Sequence, residues 1–374
     1  MDSFFPRRER SSAVSPVSGF RTDAPLLRVR DLTVGFPLRG DSRHMGMAVD
    51  GVNFTLRRGA VLCLVGESGC GKSVTALSLL RLLPSPPAVI LRGSAHFEGQ
   101  DLLTASEAEL RHIRGNRVGM VFQDPMTALN PVMRVGRQMT EGLRLHRRLS
   151  ASAAKEAAER ILAGVGIADP AARIFDFPHQ MSGGMRQRVM IGMAIACDPD
   201  MLIADEPTTA LDVTVQKRIL DLLRVRIAVS GSALLLITHD FGVVAQIADD
   251  VAVMYAGRIV ERGAAAAVLA GPAHPYTVGL LRSRPGMRER KHRLEAIPGA
   301  VPGLWSRPAG CAFHPRCSGA RAICAREEPP FFAARSDKGG VFAAFLPPET
   351  SDSGWRYCRC WLAEGMRIDK SAET

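Results

Sequence analysis

Residues 60–83 read AVLCLVGESGCGKSVTALSLLRLL, with a glycine-rich loop between a continuous apolar run and a stretch of helical character. An apolar run without alternation is typical of a strand buried on both faces, as strands of parallel sheets are. The loop, GESGCGKS at 66–73, matches G-x-x-x-x-G-K-[ST] between a strand and a helix, which is the context that a phosphate-binding loop (P-loop) requires. The stretch therefore predicts an α/β core that binds nucleotide phosphates.

Each residue type in this loop suits a bound phosphate. The glycines let the backbone curl so that successive N–H groups face the phosphates, and Lys72 adds a positive charge at the β- and γ-phosphates. The hydroxyl of Ser73 can ligate Mg²⁺. The predicted phosphate-binding residues are Gly66, Ser68, Gly69, Cys70, Gly71, Lys72 and Ser73. A P-loop alone leaves kinases, GTPases and many ATPases open as protein classes.

The rest of the chain predicts how this core is completed. The runs MLIAD at 201–205 and ALLLITHD at 233–240 have the same buried character and are separated by helical stretches, which favours a parallel sheet. The alternating segments at 26–56 suit an antiparallel layer with one face in water. Residues 126–195 carry mostly helical patterns, and residues 251–263 predict a closing hairpin.

Composition predicts the division of the chain into parts. Residues 1–25, rich in Ser, Pro and Arg, are expected to be a disordered tail. Residues 26–272 are expected to form a nucleotide-binding domain, with a helical subdomain at about 126–188. Residues 273–374 are rich in Pro, Gly, Arg and Cys with weak periodicity, and they predict a separate accessory domain.

The formal net charge of +11 is compatible with binding to nucleic acid or to an anionic membrane surface. No basic run is interleaved with aromatic residues in the manner of single-strand binders, so a solvated basic surface is favoured and no nucleic-acid partner is expected. The longest apolar runs are too short to cross a bilayer. The start of the chain has arginines without a following apolar core, so no secretory signal is expected.

Acidic residues follow one of the buried runs. The segment MLIADEP at 201–207 delivers Asp205 and Glu206 to the end of a predicted strand. An acid in this place can hold Mg²⁺, and a second can orient or deprotonate the attacking water. An adjacent Asp-Glu pair elsewhere in a chain is usually only solvated, so the prediction depends on the strand before it.

A second predicted anion site lies in MSGGMRQRVMIGMAIACDP at 181–199. Ser182, Gly183 and Gly184 open a helix there, whose free N–H groups and positive dipole end attract anions. The stretch alone could be an ordinary helix N-cap with a glycine turn. Together with the acidic strand that follows it, however, it resembles the signature and Walker B motifs of ATP-binding cassette (ABC) proteins.

That resemblance covers roughly residues 26–265 and assigns further roles. Gln123 resembles the Q-loop residue, which ligates Mg²⁺ with Ser73 and Asp205. Asp212 in TALD resembles the D-loop, His239 resembles the switch histidine that senses the γ-phosphate, and Phe36 occupies the place of the aromatic residue that stacks on adenine. The implied catalytic residues are Lys72, Glu206 and His239. The implied fold is a P-loop ABC ATPase with a RecA-like parallel-sheet core, an antiparallel β subdomain and a helical subdomain, plus a small Cys-containing C-terminal extension.

In the ABC family two ATPase subunits hold two ATP molecules, each between the P-loop of one subunit and the signature motif of the other. The resemblance therefore implies a second ABC subunit, identical or different, that faces Ser182, Gly183, Gly184 and Met185. Most cassette proteins have Gln where this chain has Met185. Met is usual at this place in the dipeptide/oligopeptide importer ATPases, which the chain resembles over nearly its whole length.

Several quoted stretches carry this closer resemblance: VFQDPMTALNP, PHQMSGGMRQRVMIGMAIACDP, ADEPTTALDVTVQ and HPYTVGLL. It implies an ATPase that lies at the cytoplasmic face of the membrane and powers peptide uptake. The ATPase would dock on two permeases, which receive their substrate from an extracytoplasmic solute-binding protein. The alternatives are an importer of nickel or another small solute, and a non-transport ABC ATPase that acts on nucleic acid or ribosomes.

Five of the eight cysteines lie in the C-terminal part of the chain. The spacing of Cys311, Cys317 and Cys324 lacks the tight C-x2-4-C pairs of structural zinc sites, whereas iron–sulfur clusters tolerate varied spacings. Free or buried thiols are the third alternative. Resemblance to related importer ATPases favours a [4Fe–4S] cluster over zinc, with Cys360 as the fourth ligand and Cys358 as its substitute.

Overall fold

The structure is a computed structural model that describes residues 24–38, 40–208, 211–283, 296–335, 343–344 and 355–365. The described chain forms two compact units. One contains Arg57–Gly59 and Ala105–Leu236, and we call it the helical unit. The other contains Leu26–Leu56, Ala60–Thr104 and the chain from Ile237 onward, and we call it the P-loop unit.

The strands, numbered along the chain, are β1 (Leu27–Leu38), β2 (Asp41–Leu56), β3 (Val61–Val65), β4 (Val89–Phe97), β5 (Gln100–Asp101), β6 (Val118–Val121), β7 (Met201–Asp205), β8 (Ala233–Thr238), β9 (Asp250–Tyr255), β10 (Arg258–Ala264), β11 (Phe332–Arg335), β12 (Ala343–Ala344) and β13 (Trp355–Cys358). The helices are α1 (Lys72–Leu79), α2 (Glu107–Ile113), α3 (Pro125–Ala128), α4 (Val135–Arg147), α5 (Ala151–Gly164), α6 (Pro170–Arg173), α7 (Gly183–Ile195), α8 (Val213–Ser230), α9 (Phe241–Ile247), α10 (Ala265–Ala270) and α11 (Pro275–Arg282).

An antiparallel sheet in the P-loop unit has the strand order β2-β1-β4-β5. The apolar residues that alternate along β1 are buried, among them Leu27, Val29 and Val34. They pair with apolar partners on β2, for example Val29 with Phe54 and Val34 with Val49. This confirms the antiparallel layer that the alternating pattern predicts, since one face of the sheet is covered and the other carries polar residues.

A second sheet in the same unit carries the P-loop. Its strand β3 is buried at all five positions and runs parallel to β9, which turns back into β10 through Ala256 and Gly257. Both turn residues have positive φ, of 44° and 85°, as a tight two-residue hairpin turn requires. The sheet continues from β10 through β13 and β11 to β12, so the C-terminal strands extend it.

The helical unit holds the parallel pair β6 and β7, with β8 beginning next to β7. Strand β7 is buried at all five positions, as the run MLIAD predicts. Helices α3 to α7 lie within residues 125–195 without an intervening strand, as the helical patterns of residues 126–195 predict, and the bounds of a helical subdomain stay a prediction. Apolar residues such as Met139, Ile161 and Ile191 form the core of this unit.

The expected tail at 1–25 lies almost wholly outside the described residues, and the boundary at 272–273 stays a prediction. In the described part of the chain, no helix is long and apolar enough to cross a membrane.

Candidate functional site

The P-loop, residues 66–73, connects β3 to α1, and its shape depends on two glycines. A Cβ on Gly66 would lie 2.2 Å from the carbonyl oxygen of Met254, and a Cβ on Gly71 would lie 2.3 Å from that of Ala48. Gly71 also has a φ of 106°, which L-residues with a side chain rarely adopt. The loop therefore fits against its neighbours only because both positions lack a side chain.

Lys72, the first residue of α1, is buried with its ammonium group inside the loop. Its Nζ donates to the carbonyl oxygens of Gly66 at 2.8 Å and Glu67 at 2.9 Å, and it lies 3.7 Å from the Sγ of Cys70. Burial raises the pKa of the Cys70 thiol, so this thiol stays protonated at neutral pH. Ser73 is half-buried next to Lys72. The loop thus presents a positive charge together with the N–H groups at the start of α1, which suits an anionic phosphate.

Backbone hydrogen bonds connect the P-loop to the β9–β10 turn and to β2. The N–H of Gly257, in the β9–β10 turn, donates to the Cys70 carbonyl at 2.9 Å. The N–H of Asp50 in β2 in turn donates to the Gly257 carbonyl at 2.8 Å. The turn therefore fixes the P-loop between the two sheets of the same unit.

Phe36, the predicted adenine-stacking residue, is half-buried on β1 and pairs with Gly46 on β2. The face above Gly46 is covered by the C-terminal part of the chain, because a Cβ there would meet Leu304 at 2.6 Å and Trp305 at 2.7 Å. The indole N–H of Trp305 donates to the Phe36 carbonyl at 3.3 Å. Trp305 itself is 53% exposed. An exposed indole thus lies directly beside Phe36.

His239, the predicted switch histidine, is exposed and follows β8. Two short hydrogen-bonded turns hold it. The Asp240 N–H donates to the Thr238 hydroxyl at 3.0 Å, and the Asp240 carboxylate accepts from the Gly242 N–H at 2.6 Å to cap α9. His239 is therefore presented to solvent from a fixed corner of the backbone.

Asp205 and Glu206 lie in the helical unit at the end of β7. Asp205 is 3% exposed, whereas Glu206 is half-buried. Glu206 has a φ of 47°, in the left-handed region that costs a non-glycine residue of the order of 1 kcal/mol or more. Residues held in this region of backbone space cluster at functional sites.

The signature segment begins α7 in the same unit. Ser182 is the N-cap, and its Oγ accepts from the Met185 N–H at 3.3 Å. Ser182 and Gly183 are exposed, and Gly184 is half-buried, so the N–H groups of this helix start are accessible. Gln187, one turn later, is buried and donates to the Pro207 carbonyl at 2.7 Å, directly after Glu206. Sequence reasoning missed this contact, which fixes the signature helix to the acidic segment.

Gln123 and Asp212 also lie in the helical unit. Gln123 is exposed after β6, and the next residue, Asp124, caps α3 by accepting from the Met126 N–H at 2.8 Å. Asp212 is the N-cap of α8 and accepts from the Val215 N–H at 2.9 Å. The preceding TALD residues, 209 and 210, lie outside the described part. The structure therefore groups Phe36, the P-loop and His239 in one unit and Gln123, the signature, Asp205, Glu206 and Asp212 in the other.

Four cysteines of the C-terminal part line one small cavity of about 10 Å³: Cys311, Cys317, Cys324 and Cys360. Cys358 is fully buried against Ala273 and Phe332 and is not among the lining residues. Burial raises the pKa of the Cys311 and Cys317 thiols, and it raises that of Cys360 to about 11. Within the described residues, no group of three or more His, Cys, Asp or Glu side chains is arranged to hold a metal ion. The thiols converge, but they do not form a metal-binding arrangement.

The HPY stretch, His274 to Tyr276, begins α11 and reaches the P-loop. The Tyr276 hydroxyl accepts from the Glu67 N–H at 2.8 Å. Burial lowers the pKa of His274 to about 3, and its Nδ1 accepts from the Tyr276 N–H at 3.1 Å. The fully buried Glu261 of β10 accepts from the N–H groups of Ala273 and His274 at 2.8 and 2.9 Å, which fixes the start of the helix.

Glu261 also pairs with Arg356 of β13, which donates to it at 2.7 Å. A salt bridge from Arg316 to Glu67 also joins the C-terminal part of this unit, from residue 273 onward, to the P-loop. Sequence reasoning assigned no role to Glu67, Glu261, Arg316 or Arg356, because no local pattern marks an ion pair between residues about one hundred or more positions apart.

Two family models match the chain. The model described as "ABC transporter" matches residues 49–209, and the model described as "Oligopeptide/dipeptide transporter, C-terminal region" matches residues 260–324. Together they cover the P-loop, the signature, the acidic pair, HPY and three of the clustered cysteines.

Similar proteins extend over most of the chain. The Oligopeptide transport ATP-binding protein OppD of Bacillus subtilis is 49% identical over 325 residues, which cover 87% of this chain and 90% of that protein. A probable peptide ABC transporter ATP-binding protein of Sinorhizobium fredii is 51% identical over 305 residues, covering 81% and 90%. A putative peptide import ATP-binding protein of Brucella melitensis is 48% identical over 326 residues, covering 84% and 96%.

Solved structures share the fold. The ATP-binding cassette MJ0796, solved as a dimer in a post-hydrolysis state bound to ADP and Pi, superposes with a TM-score of 0.58 at 24% identity. The match covers 64% of this chain and 98% of that one. The P-loop ABC fold predicted from the motifs is therefore confirmed. On this identity over most of its length, the chain belongs to the ATP-binding proteins of ABC transporters, in the group with the oligopeptide/dipeptide C-terminal region, and it is an ATPase.

Proposed function

We propose that this chain hydrolyses ATP to power the uptake of di- or oligopeptides. One observation carries the proposal: a cassette with a complete set of motif residues is continuous with a region that matches the C-terminal part of oligopeptide/dipeptide transporters. Relatives that span nearly the same length are named as peptide import or oligopeptide transport proteins.

The chemistry that we propose uses the residues described above. The P-loop N–H groups and Lys72 bind the ATP phosphates. Ser73, Gln123 and Asp205 are the oxygen-bearing residues that would hold Mg²⁺, which neutralises charge on the β- and γ-phosphates when bound. Glu206 orients and deprotonates the attacking water, and His239 donates a hydrogen bond to the γ-phosphate.

The site that we propose is completed by a partner. The accessible N–H groups at the start of α7 suit the γ-phosphate of an ATP molecule held by a second cassette. In this proposal the second cassette, identical or different, supplies the same motif in return, with Asp212 beside the contact. Two permeases fed by an extracytoplasmic solute-binding protein carry the peptide, and the ATPase lies against them at the cytoplasmic face of the membrane. Phe36 stacks on the adenine.

The role of the cysteine-lined cavity is a further part of this proposal. Four thiols are the donor set that a [4Fe–4S] cluster takes, and they also suit tetrahedral zinc. The fit is incomplete, because a cavity of about 10 Å³ holds about one water molecule, so the thiols would have to move apart to admit a cluster. Cys311, Cys317, Cys324 and Cys360 are the residues that would hold it. Iron, sulfide and zinc analysis of anaerobically purified protein tests the assignment, and the absence of all three would leave four free thiols.

Co-purification from detergent-solubilised membranes tests the transport proposal. The tagged chain should bring down two permease subunits, and the isolated complex should hydrolyse ATP. Lys72→Ala should abolish hydrolysis and Glu206→Gln should retain ATP without turnover, while Lys155→Ala, at an exposed surface lysine that contacts Glu159 and the ring of Phe175, should leave the rate unchanged. Recovery with RNA, DNA or ribosomes and without permeases would overturn the proposal. A complex stimulated by nickel loading and not by peptides would favour the nickel alternative.

A further inference from the structure

Arg316 lies between Cys311 and Cys317 of the cysteine-lined cavity and reaches into the P-loop. Its two terminal nitrogens donate to the two carboxylate oxygens of Glu67, at 2.8 and 2.9 Å. The Arg316 side chain is only 6% exposed and that of Glu67 is 29% exposed. This fork-to-fork geometry is the strongest form of an arginine–carboxylate contact and fixes the direction of both groups.

The guanidinium of Arg316 is itself held in place on several sides. Its Nε donates to the Pro298 carbonyl at 2.7 Å, and one Nη also lies 3.3 Å from the Gly299 carbonyl. Its planar group lies 5.7 Å from the ring centre of Tyr255 and 5.9 Å from that of Phe313. The hydrogen bonds that Arg316 donates to Glu67 raise the pKa of its guanidinium above the usual value, so the side chain stays charged. Arg316 is therefore a rigid cation and not a mobile surface side chain.

Glu67 has all three of its polar groups fixed. Its carboxylate is held by Arg316, its N–H donates to the Tyr276 hydroxyl, and its carbonyl accepts from Lys72. Two of these three contacts come from the C-terminal part of the chain. Because Glu67 is the second residue of the P-loop, these contacts determine the path by which the backbone leaves β3 and enters the phosphate-binding turn.

The negative charge of Glu67 would oppose phosphate binding by the P-loop if Arg316 did not pair with it. A carboxylate within the P-loop repels a triphosphate and competes with it for the Lys72 ammonium. Arg316 neutralises that carboxylate and holds it on its own guanidinium, while the Lys72 ammonium contacts Glu67 at the backbone carbonyl. Without Arg316 the loop would present one uncompensated negative charge close to the phosphates.

The segment that carries Arg316 is one hydrogen-bonded unit with the cysteines. The Cys311 N–H donates to the Cys324 carbonyl at 2.8 Å, the His314 N–H donates to the Cys311 carbonyl at 3.0 Å, and the Cys317 N–H donates to the His314 carbonyl at 3.2 Å. A change in the spacing of these cysteines therefore moves the turn that positions Arg316.

We propose that Arg316 is a positioning residue for the P-loop, through which the cysteine-lined segment 311–324 sets the affinity of this ATPase for nucleotide. The inference extends the ATPase activity of the chain by a control element in its C-terminal part, and it rests on no particular transported solute.

The test is the affinity of the full-length chain for MgATP, measured by titration with a fluorescent ATP analogue, together with KM and kcat in the assembled complex. Arg316→Met should weaken nucleotide binding about 10- to 100-fold, the range expected when a charged hydrogen-bonded pair is broken. The loss should appear in KM, with kcat at saturating ATP largely kept. Arg316→Lys should recover part of the affinity, because lysine restores the positive charge but cannot contact both carboxylate oxygens of Glu67 with two parallel N–H groups.

A double-mutant cycle identifies the partner of Arg316. Glu67→Gln removes the charge that Arg316 neutralises, so Arg316→Met in that background should cost clearly less than it does alone. Arg307→Met is the matched control, since Arg307 also joins the C-terminal part to β2, through Asp50 at 2.8 Å, without touching the P-loop. Its nucleotide affinity should equal that of the wild type. An unchanged affinity in Arg316→Met, or an equal loss in Arg307→Met, would overturn the inference.

The cysteine segment is tested in the same assay. The double substitution Cys311→Ser with Cys317→Ser should weaken MgATP binding, and adding Arg316→Met should weaken it little further. Full additivity would mean that the cysteines do not act through Arg316 and would remove that part of the proposal. If the wild-type chain bound no MgATP, the assigned ATPase function would fail, whereas normal binding by every variant would refute only this inference.

Discussion

Replacing Glu261 by alanine should weaken the attachment of α11 and β13 to β10, all within the P-loop unit. Glu261 is fully buried and accepts three hydrogen bonds, from the N–H groups of Ala273 and His274 and from the guanidinium of Arg356. The substitution removes the acceptor of two buried N–H groups and leaves the buried Arg356 without its carboxylate. Removing one member of a buried ion pair destabilises a protein by about 3–5 kcal/mol.

Urea unfolding followed by tryptophan fluorescence measures this effect. The three tryptophans of the chain are Trp305, Trp355 and Trp361, all in the C-terminal part from residue 273 onward. Their emission therefore reports on the part of the chain that Glu261 attaches to β10. With a slope of about 3 kcal/mol per M, a loss of about 3–5 kcal/mol lowers the urea midpoint by about 1–1.7 M. Glu261→Gln should fall between the wild type and Glu261→Ala, because the amide keeps one oxygen acceptor and loses the charge.

The matched control is Glu364→Ala, at an exposed glutamate in the same part of the chain. Exposed substitutions usually change the free energy of unfolding by less than about 0.5 kcal/mol. A midpoint for Glu261→Ala within the error of Glu364→Ala would show that the buried Glu261 carboxylate does not stabilise this part of the chain. Weaker ATP binding is a second expected effect. Glu261 fixes the start of α11, and Tyr276 in the first turn of that helix accepts a hydrogen bond from the Glu67 N–H of the P-loop.

Two further substitutions test the P-loop and the electrostatics of β2. Gly66→Ala should abolish ATP binding in a calorimetric titration, because its Cβ would lie 2.2 Å from the Met254 carbonyl oxygen, and wild-type affinity would contradict this. Burial raises the pKa of Asp50, but Arg258 and Arg307 outweigh it and lower the pKa below 3.8. The folded state therefore gains stability from ionised Asp50 that is fully present above about pH 4 and is lost as the pH falls further. The unfolding free energies of wild type and Asp50→Asn should converge in acid, and a constant difference would contradict the assignment.

Local patterns in the sequence predict the fold well where strands are buried on both faces. The run from Val61 to Val65 and the run from Met201 to Asp205 are apolar at nearly every position, and both are fully buried strands. The P-loop pattern adds a strand before it and a helix after it, which fixes the direction of the chain at the site. These signals lie within a few residues of one another, so no knowledge of distant contacts is needed.

The C-terminal strands could not be predicted in this way. Strand β13 pairs with β10, and Glu261 lies opposite Cys358 across a gap of nearly one hundred residues. The segment WRYCRCW has no clear alternation of apolar and polar residues. It forms a strand because its backbone pairs with β10 at the edge of the sheet. Tertiary context decides such strands.

The same limit applies to the site. The motif residues Lys72 and Glu206 follow from their spacing and flanking elements. Arg316 and Tyr276 do not, because their contacts with Glu67 span 249 and 209 residues. A carboxylate within a phosphate-binding loop could have suggested that a cation compensates it, but nothing in the sequence identifies which one.

Uptake of a labelled peptide by whole cells tests whether ATP hydrolysis by this chain powers peptide import. Cells that lack the native gene would carry either the wild-type chain or Lys72→Ala, and the import of a labelled dipeptide, a labelled oligopeptide and nickel would be compared. We expect ATP-dependent peptide import with the wild-type chain and only background import with Lys72→Ala. Peptide import that is equal with both chains, or import of nickel alone, would contradict it.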